Sequence, residues 1–543
     1  MIAAFAAIAA PSVCAAPFEL RALGAPPLAT EPAVLERLAD AREDLVVGTT
    51  LGARATRLME QAGADRLSER VGLWRLRGNR DVLERLARLG LLRYAHKDAL
   101  LPEQFAREPF RPLDPPSDPL GSMQWWLAPI GASALTAPGP GVPLAVLDTG
   151  VDATHPEFAA RPVTYLNAQV IEHPHGTQVS SVAGAPVNGQ GIVGVYPQLA
   201  LRAVDINLAC SEIIQSLLLA IDAPGPSVFN MSWGFPSPFA CPALYDAMIV
   251  ALALRHLPVA AAGNNRQQGS PPTYPAAFPH VLTVAATDQA DAVAFFSTRG
   301  PGVDLAAPGV SIAAATPAIF DPSGYQLVNG TSFSAPMVAA AAAWVWTLRP
   351  TLRPTQLIDI LRFSARDVGA AGWDDDTGFG ILNIPNALNA AVPALDPQEP
   401  NDDIDQVKAG RLFRNSSPAI TARGRGRASL RATLDLQEDP VDVYRVWIPG
   451  RSTVTGTITP TDNVDLEFFR PNARTVYYQN RRAARRGPLI GGSYRTGKRA
   501  DRFRVVNPAR RGAFIFLEAF KARGAFLDAR YQLQVTTSRL RRR

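Results

Sequence analysis

The sequence predicts an α/β protein with a parallel sheet in its middle, a small α/β unit ahead of it and a β-sandwich behind it. Three observations carry that expectation. Between residues 142 and 390, short apolar runs alternate with helical stretches, as in a sheet covered on both faces. Residues 45–102 make a separate compact pattern, closed by a stretch that holds Pro109, Pro112, Pro115, Pro116 and Pro119. From residue 396 onward, apolar and polar residues alternate in short segments, the period of half-buried strands. The 543 residues give room for about three domains of ~150 residues each. Charge divides the chain at the same places. Basic and acidic residues number 16 and 16 over 17–120, 9 and 19 over 121–400, and 29 and 13 over 401–543. The nets of 0, −10 and +16 belong to separately folded units with different surroundings.

Residues 1–10 are apolar, and Ser12-Val13-Cys14-Ala15-Ala16 offers the small residues that a signal peptidase accepts. Residues 1–16 therefore read as a signal peptide, although the usual basic start is missing, and the protein as secreted, extracellular or periplasmic. Its removal leaves Cys210 and Cys241, an even pair in an oxidising compartment; a disulfide and two buried thiols both fit that count. In the next unit Leu45-Val46-Val47 is strand-like, Leu58 and Met59 sit on a short helix, and residues 71–76 are extended. Asn79 reads as the N-cap of a helix bearing Val82, Leu83, Leu86 and Leu89, and residues 91–94 return to strand. In the middle of the chain Leu144-Ala145-Val146-Leu147 is a fully apolar strand ending at Asp148. Residues 199–204, 227–230, 259–261 and 281–285 continue the series. Ligands of such sheets gather at the carboxyl ends of the strands, where Asp148 and Ala262-Gly263-Asn264 fall. Residues 334–346 are apolar but shorter than the ~20 a membrane span needs, and read as a buried core helix. In the last region, strands are expected at 441–448, 453–459, 464–469, 503–506, 514–518 and 531–535.

Three segments carry chemistry. In order they are Leu147-Asp148-Thr149-Gly150-Val151-Asp152, His175-Gly176-Thr177-Gln178-Val179 and Gly330-Thr331-Ser332-Phe333-Ser334-Ala335-Pro336. A serine hydroxyl is a poor nucleophile until a base within hydrogen-bond reach takes its proton. An imidazole such as His175 suits that step, and a strand-end carboxylate such as Asp148 suits the acceptor that orients it. Gly176, without a side chain, lets another group approach closely. Ser332 falls at the start of a helix, where unpaired amides and the helix dipole face a developing oxyanion. Pro336 is expected in the first turn of that helix, where its missing N–H is tolerated. Asn264 would add a side-chain donor for the oxyanion.

In these segments the chain resembles the subtilisin-like proteases, over roughly residues 120–390. Further landmarks agree. Asp118-Pro119 through Gln124-Trp125 is similar to the mature amino terminus of the family, Ala262-Gly263-Asn264 to its oxyanion segment, Tyr274-Pro275-Ala276 to a nearby turn and Gly378-Phe379-Gly380 to its closing loop. Two departures stand out: Gln178 replaces a second histidine, and His173-Pro174 precedes His175.

The resemblance implies a secreted serine endopeptidase working through an acyl-enzyme, with Asp148, His175 and Ser332 as its triad and Asn264 at the oxyanion. Extended substrate would pair with the stretch at Ser232-Trp233-Gly234 and with a Gly-rich strand nearer residue 205, and Ala262 and Gly263 are further substrate-binding residues. Trp233 stands where relatives carry a smaller apolar residue, so its indole would either narrow the pocket four residues upstream of the cut or point into the core. The expected domains are the signal peptide 1–16, a prodomain and linker 17–120, a catalytic domain 121–395 and a C-terminal β-sandwich 396–543. The prodomain would inhibit the enzyme and be removed by self-cleavage between about residues 100 and 122. Glu399-Pro400-Asn401-Asp402 resembles the opening of bacterial pre-peptidase C-terminal domains. The chemistry implied needs no cofactor; Asp374-Asp375-Asp376 is either a structural calcium site or a solvated loop, and no zinc site is visible. Protein or peptide substrates are the expected partners, with a polyanionic cell-surface polymer a further one for the Arg-rich stretches 481–486 and 539–543. No nucleic acid is expected, and the protein reads as a monomer. Two rivals share the motifs. A transpeptidase or macrocyclase would need an inserted domain that shields water, and a binding protein on a dead protease scaffold would not need an intact triad.

Overall fold

The computed structural model describes residues 44–100, 111–112, 123–159, 161–207, 209–236, 241–477, 488–521 and 528–540. The expected signal peptide, most of the Pro-rich linker with its cleavage region, Asp118-Pro119 and the Arg-rich stretch 481–486 lie outside the described residues. The described residues between 44 and 400 group with 408–416 in one compact unit, and 401–407 group with the described residues from 417 onward in another.

The larger unit opens with β1 (Asp44–Thr49), α1 (Ala53–Gln61), β2 (Asp65–Ser68), β3 (Leu73–Arg77), α2 (Arg80–Arg88) and β4 (Leu92–Lys97). The strands form a four-stranded antiparallel sheet in the order β2-β3-β1-β4. Strand periodicity sorts its side chains between two cores. Leu45 and Val47 join Leu58, Met59, Leu83 and Leu86 from the helices, whereas Val46 joins Leu73 and Tyr94 on the other face. Asn79 caps α2 as expected, its Oδ1 accepting from Val82 N–H at 3.2 Å.

After β5 (Arg111–Pro112) come β6 (Leu144–Asp148), β7 (Thr164–Tyr165), α3 (His175–Gly184), β8 (Leu201–Asp205), α4 (Cys210–Asp222), β9 (Ser227–Met231) and α5 (Ala243–Ala253). There follow β10 (His256–Ala261), β11 (Leu282–Thr287), β12 (Leu305–Pro308), β13 (Ile312–Ala315), β14 (Tyr325–Val328), α6 (Thr331–Leu348), α7 (Pro354–Phe363) and α8 (Ile384–Asn389). Seven strands make one wholly parallel sheet in the order β12-β11-β10-β9-β6-β8-β7. On one side of β6 lie β8 and then β7 at the edge, and on the other β9 through β12 follow outward in chain order. The order therefore reverses between β6 and β9, the crevice where open parallel sheets bind ligands. Helix α6 is buried from Thr331 to Trp346, as its unbroken apolar sequence requires.

Pro336 corrects one expectation: it lies inside α6, beyond the first turn. A proline there leaves the carbonyl four residues back without its helical donor. That carbonyl belongs to Ser332 and accepts instead from Ser232 Oγ at 2.8 Å.

The N-terminal sheet lies against α4 and α5. Val46, Val71, Leu73 and Tyr94 share a buried cluster with Ile213, Leu217, Tyr245 and Met248. Arg93 Nη2 and Tyr94 Oη both donate to Asp246 Oδ2, each at 2.6 Å. Beyond β4 the chain follows the edge before α4. Asp98 Oδ1 accepts from Ser211 N–H at 2.9 Å, Ala99 O from Cys210 N–H at 3.2 Å, and Leu100 bridges Ala209 in antiparallel sense. Residues 408–416 return to this region. Leu51 N–H donates to Gly410 O at 2.9 Å, Arg414 pairs with Glu69 at 2.9 Å, and Leu412 is 1% exposed in the same cluster as Val71 and Tyr245.

The second unit holds α9 (Ile404–Val407) and strands β15 (Arg427–Leu434), β16 (Val441–Ile448), β17 (Ser452–Pro460), β18 (Val464–Phe469), β19 (Leu489–Ser493), β20 (Asp501–Asn507), β21 (Ala513–Lys521) and β22 (Ala529–Arg539). They form two four-stranded antiparallel sheets, β15-β22-β17-β20 and β16-β21-β18-β19, around a common core that includes Leu434, Val446, Phe468 and Leu533. Tyr444 on one sheet and Tyr531 on the other meet at 2.8 Å between hydroxyls, and Tyr531 donates to the buried Asp442 at 2.6 Å.

Candidate active site

The last residue of β6, Asp148, is fully buried. Its Oδ1 accepts from His175 Nδ1 at 2.7 Å and from the backbone N–H of Thr149 at 2.8 Å. His175 is the first residue of α3, and its backbone N–H donates to His173 Nδ1 at 3.2 Å. The start of α3 is pressed against the turn after β6. Gly176 N–H donates to Thr149 Oγ1 at 2.9 Å, and a Cβ on Gly176 would stand 1.9 Å from Thr149 O. The close approach expected of this glycine is therefore to the residue that follows Asp148. The His175 and Phe333 rings lie 5.7 Å apart, which sets the imidazole beside the N-terminus of α6. Ser332, the second residue of that helix, is 2% exposed, and its Oγ donates to Ser232 O at 3.2 Å.

Asn264 follows β10 and meets the residue that precedes Ser332. Its Oδ1 accepts from both Thr331 N–H at 3.0 Å and Thr331 Oγ1 at 3.1 Å, while Thr331 Oγ1 accepts from Gly263 N–H at 3.2 Å. With its oxygen so held, the carboxamide turns its NH₂, the side chain's donor end, away from Thr331. Thr331, part of the Ser332 motif, thus orients the Asn264 carboxamide, a contact the sequence did not show.

Ser232, Trp233 and Gly234 leave β9 next to this site, and Ala262 and Gly263 leave β10 opposite them. The indole of Trp233 takes the second of its two expected places. It is 4% exposed within the core cluster, and its N–H donates to Leu147 O at 2.8 Å, so only its backbone borders the crevice. Between the two segments stands Thr273, a residue sequence reasoning missed. A Cβ on Gly234 would meet Thr273 Cγ2 at 2.3 Å, and one on Gly263 would meet Thr273 Oγ1 at 2.5 Å. Thr273 is 3% exposed, and its hydroxyl has no hydrogen-bond partner among the described residues. It is placed by a two-way backbone pairing of Tyr274 with Phe235, at 2.8 and 3.0 Å.

Cys210 and Cys241 form a disulfide, tying the start of α4 to the entry of α5 across 31 residues. Asp374-Asp375-Asp376 does not fit the calcium expectation. Asp374 Oδ1 accepts from the amides of Asp376 and Thr377, Asp376 pairs with Arg266 at 2.7 Å, and Asp375 pairs with Arg299 at 3.4 Å. The three carboxylates serve their own loop and two arginines. Gln178, in place of the family's second histidine, donates to Thr316 Oγ1 and Gln326 Oε1, both at 3.1 Å, inside the core.

A parallel α/β sheet that carries an aspartate–histidine pair beside a serine at a helix N-terminus, all at its switch point, has the form of a hydrolase with a nucleophilic serine. Comparison with known proteins narrows the class. The profile of the subtilase family matches residues 139–380. Subtilisin of Bacillus pumilus is 33% identical over 279 residues, covering 48% of this chain and 98% of the relative. The chain belongs to the subtilase family. Fervidolysin of Fervidobacterium pennivorans is 31% identical over 320 residues, covering 50% of this chain and 45% of the relative. The crystal structure of fervidolysin, titled a keratinolytic enzyme related to subtilisin, aligns with a TM-score of 0.53 at 20% identity, covering 85% of this chain and 69% of that one, a likeness of fold. The minor extracellular protease Epr of Bacillus subtilis (strain 168) is 34% identical over 53% of this chain and 46% of its own length. The chain thus spans less than half the length of fervidolysin and of Epr.

Proposed function

We infer that the protein is a secreted serine endopeptidase, made as a precursor that cleaves itself. The observation that carries the reading is the 2.7 Å bond between Asp148 and His175 at the switch point of the sheet, beside Ser332 at the head of α6. In catalysis the Ser332 hydroxyl leaves Ser232 O and passes its proton to His175 Nε2 as Oγ attacks the peptide carbonyl carbon. Asp148 holds Nδ1–H, fixing the tautomer and offsetting the charge of the imidazolium. The carbonyl oxygen, now an oxyanion, takes a hydrogen bond from Asn264 Nδ2, a donor of the kind worth about 3–4 kcal/mol in the transition state. His175 then protonates the departing amine, and water repeats the sequence to release the acyl group from Ser332. The likeness to Epr, whose name places it outside the cell, and the apolar start of the chain support secretion.

Residues 17–120 act as the inhibitory prodomain and its linker in this reading. Support comes from Ala99 and Leu100, which occupy the edge at 209–210 through antiparallel backbone contacts, as an extended substrate would. The test is Ser332→Ala in the full chain. The variant should accumulate uncut and hydrolyse no peptide, a loss on the order of 10⁶-fold in kcat. Maturation of the purified variant without another protease, or residual hydrolysis near the wild-type rate, would refute the assignment.

A further inference from the structure

We propose that residues 408–416 form a strap that holds the N-terminal α/β unit on the protease after the connecting chain has been cut. The proposal rests on the reading of that unit as a prodomain, but its contacts stand independently. At the exit of β1 three successive backbone amides need acceptors. Thr49 N–H finds Gly72 O and Thr50 N–H finds Leu91 O, both within the unit; Leu51 N–H finds Gly410 O, more than 350 residues further along the chain. The strap is shaped to deliver that carbonyl: Gly410 lies in the left-handed region at φ 74°, and its own N–H closes a turn on Phe413 O at 2.9 Å.

The apolar anchor is Leu412. It is 1% exposed and belongs to the cluster that joins Val71, Leu73 and Tyr94 of the N-terminal unit to Tyr245 and Phe278 of the protease. A leucine buried at such a junction loses its burial when either body leaves, so it acts against separation. The Arg414–Glu69 pair lies at the rim, with both side chains more than 60% exposed, and sets the register of the strap more than its strength. A cleft of about 470 Å³ between Gly410, Arg414 and the head of α1 leaves that rim open, so the hold is concentrated at Leu412 and Gly410. The partner this surface fits is the severed N-terminal unit of the same chain.

The experiment uses the full chain with Leu412→Ala. In wild type, the N-terminal fragment should co-elute with the protease on size exclusion after self-cleavage. In the variant it should dissociate about 30-fold faster or more, the effect of removing a well-buried leucine side chain from the interface. A second measurement needs no cleavage. In the Ser332→Ala chain, Leu412→Ala should speed exchange of the Leu51 amide while Val46, Val47 and the α6 amides stay protected. Equal release rates, with unchanged Leu51 exchange, would overturn the strap. A wild-type chain that never cuts itself would refute self-processing instead, and the Leu51 amide would then decide the strap alone.

Discussion

Gly176→Ala tests how tightly the site depends on one backbone contact. A Cβ at this position would sit 1.9 Å from Thr149 O and 2.9 Å from Thr149 C, against an ordinary contact of about 3.3 Å. Backbone cannot swing aside as a flexible side chain does, so the head of α3 and the turn after β6 must part by roughly 1 Å. Each partner of the Asp148–His175 bond is one residue from this contact, so the opening falls on the 2.7 Å bond itself. A misplacement of about 1 Å at a catalytic group is worth about 10²-fold in rate. The expected result is a kcat lowered about 100-fold with KM changed less than about threefold, alongside overpacking of about 1–3 kcal/mol in stability. Hydrolysis of a chromogenic peptide, with thermal melts of the same preparations, measures both. A kcat within threefold of wild type at unchanged melting temperature would show that the contact does not hold the pair, and would refute the reasoning.

Thr273→Gly should empty the back of the gap between Gly234 and Gly263. On a peptide library, kcat/KM for Phe just before the cut should then rise about tenfold or more relative to Ala, whereas Thr273→Val, which keeps the volume, should leave the wild-type Phe-to-Ala ratio unchanged. An identical profile for Thr273→Gly would remove Thr273 from the specificity site. His96, on β4 and 8% exposed, has its pKa pushed down to about 4 by burial, with the Lys97 carbonyl acting in the opposite direction. The folded unit thus favours neutral imidazole. Stability is full above the ordinary pKa near ~6.5 and is lost as pH falls from there toward 4, by roughly 3 kcal/mol. Denaturant melts of the Ser332→Ala chain at pH 7.5, 5 and 4 should show this loss, and His96→Gln should reduce it; equal acid sensitivity in both chains would assign the effect elsewhere.

The parts legible in the sequence were those whose signal is local. Leu144-Ala145-Val146-Leu147 is apolar because the strand is covered on both faces, and the strand expected at 441–448 matches β16 at both ends because its alternation is uninterrupted. The three motif segments fall together because each needs a particular turn or helix head around its functional side chain. What escaped notice depends on distant partners. Strand β2 opens with the exposed Asp65 and Arg66, β15 interleaves arginine with small residues, and β19 contains Gly491-Gly492, so hydropathy marks none of them and their neighbours supply the pairing. Thr273 has no motif of its own. Its place comes from two glycines that lie 39 and 10 residues earlier. Pro336 fits inside α6 because Ser232, from another strand, supplies the missing donor.

The position of residues 408–416 also has a consequence for the order in which the protein is built. The N-terminal unit leaves the ribosome before α4 and α5, on which it rests, and Leu412 emerges about 340 residues after Val71. Until then the Leu51 amide lacks the carbonyl of Gly410, and the cluster around Tyr245 lacks one of its buried side chains. A chain shortened to end near residue 400 keeps the strands of the parallel sheet with Asp148, His175 and Ser332, but it lacks Gly410 and Leu412 and so cannot make this contact. In the strap reading, the contact that fastens residues 44–100 is therefore written late in the message, and translation must pass well beyond the parallel-sheet unit before that contact can form.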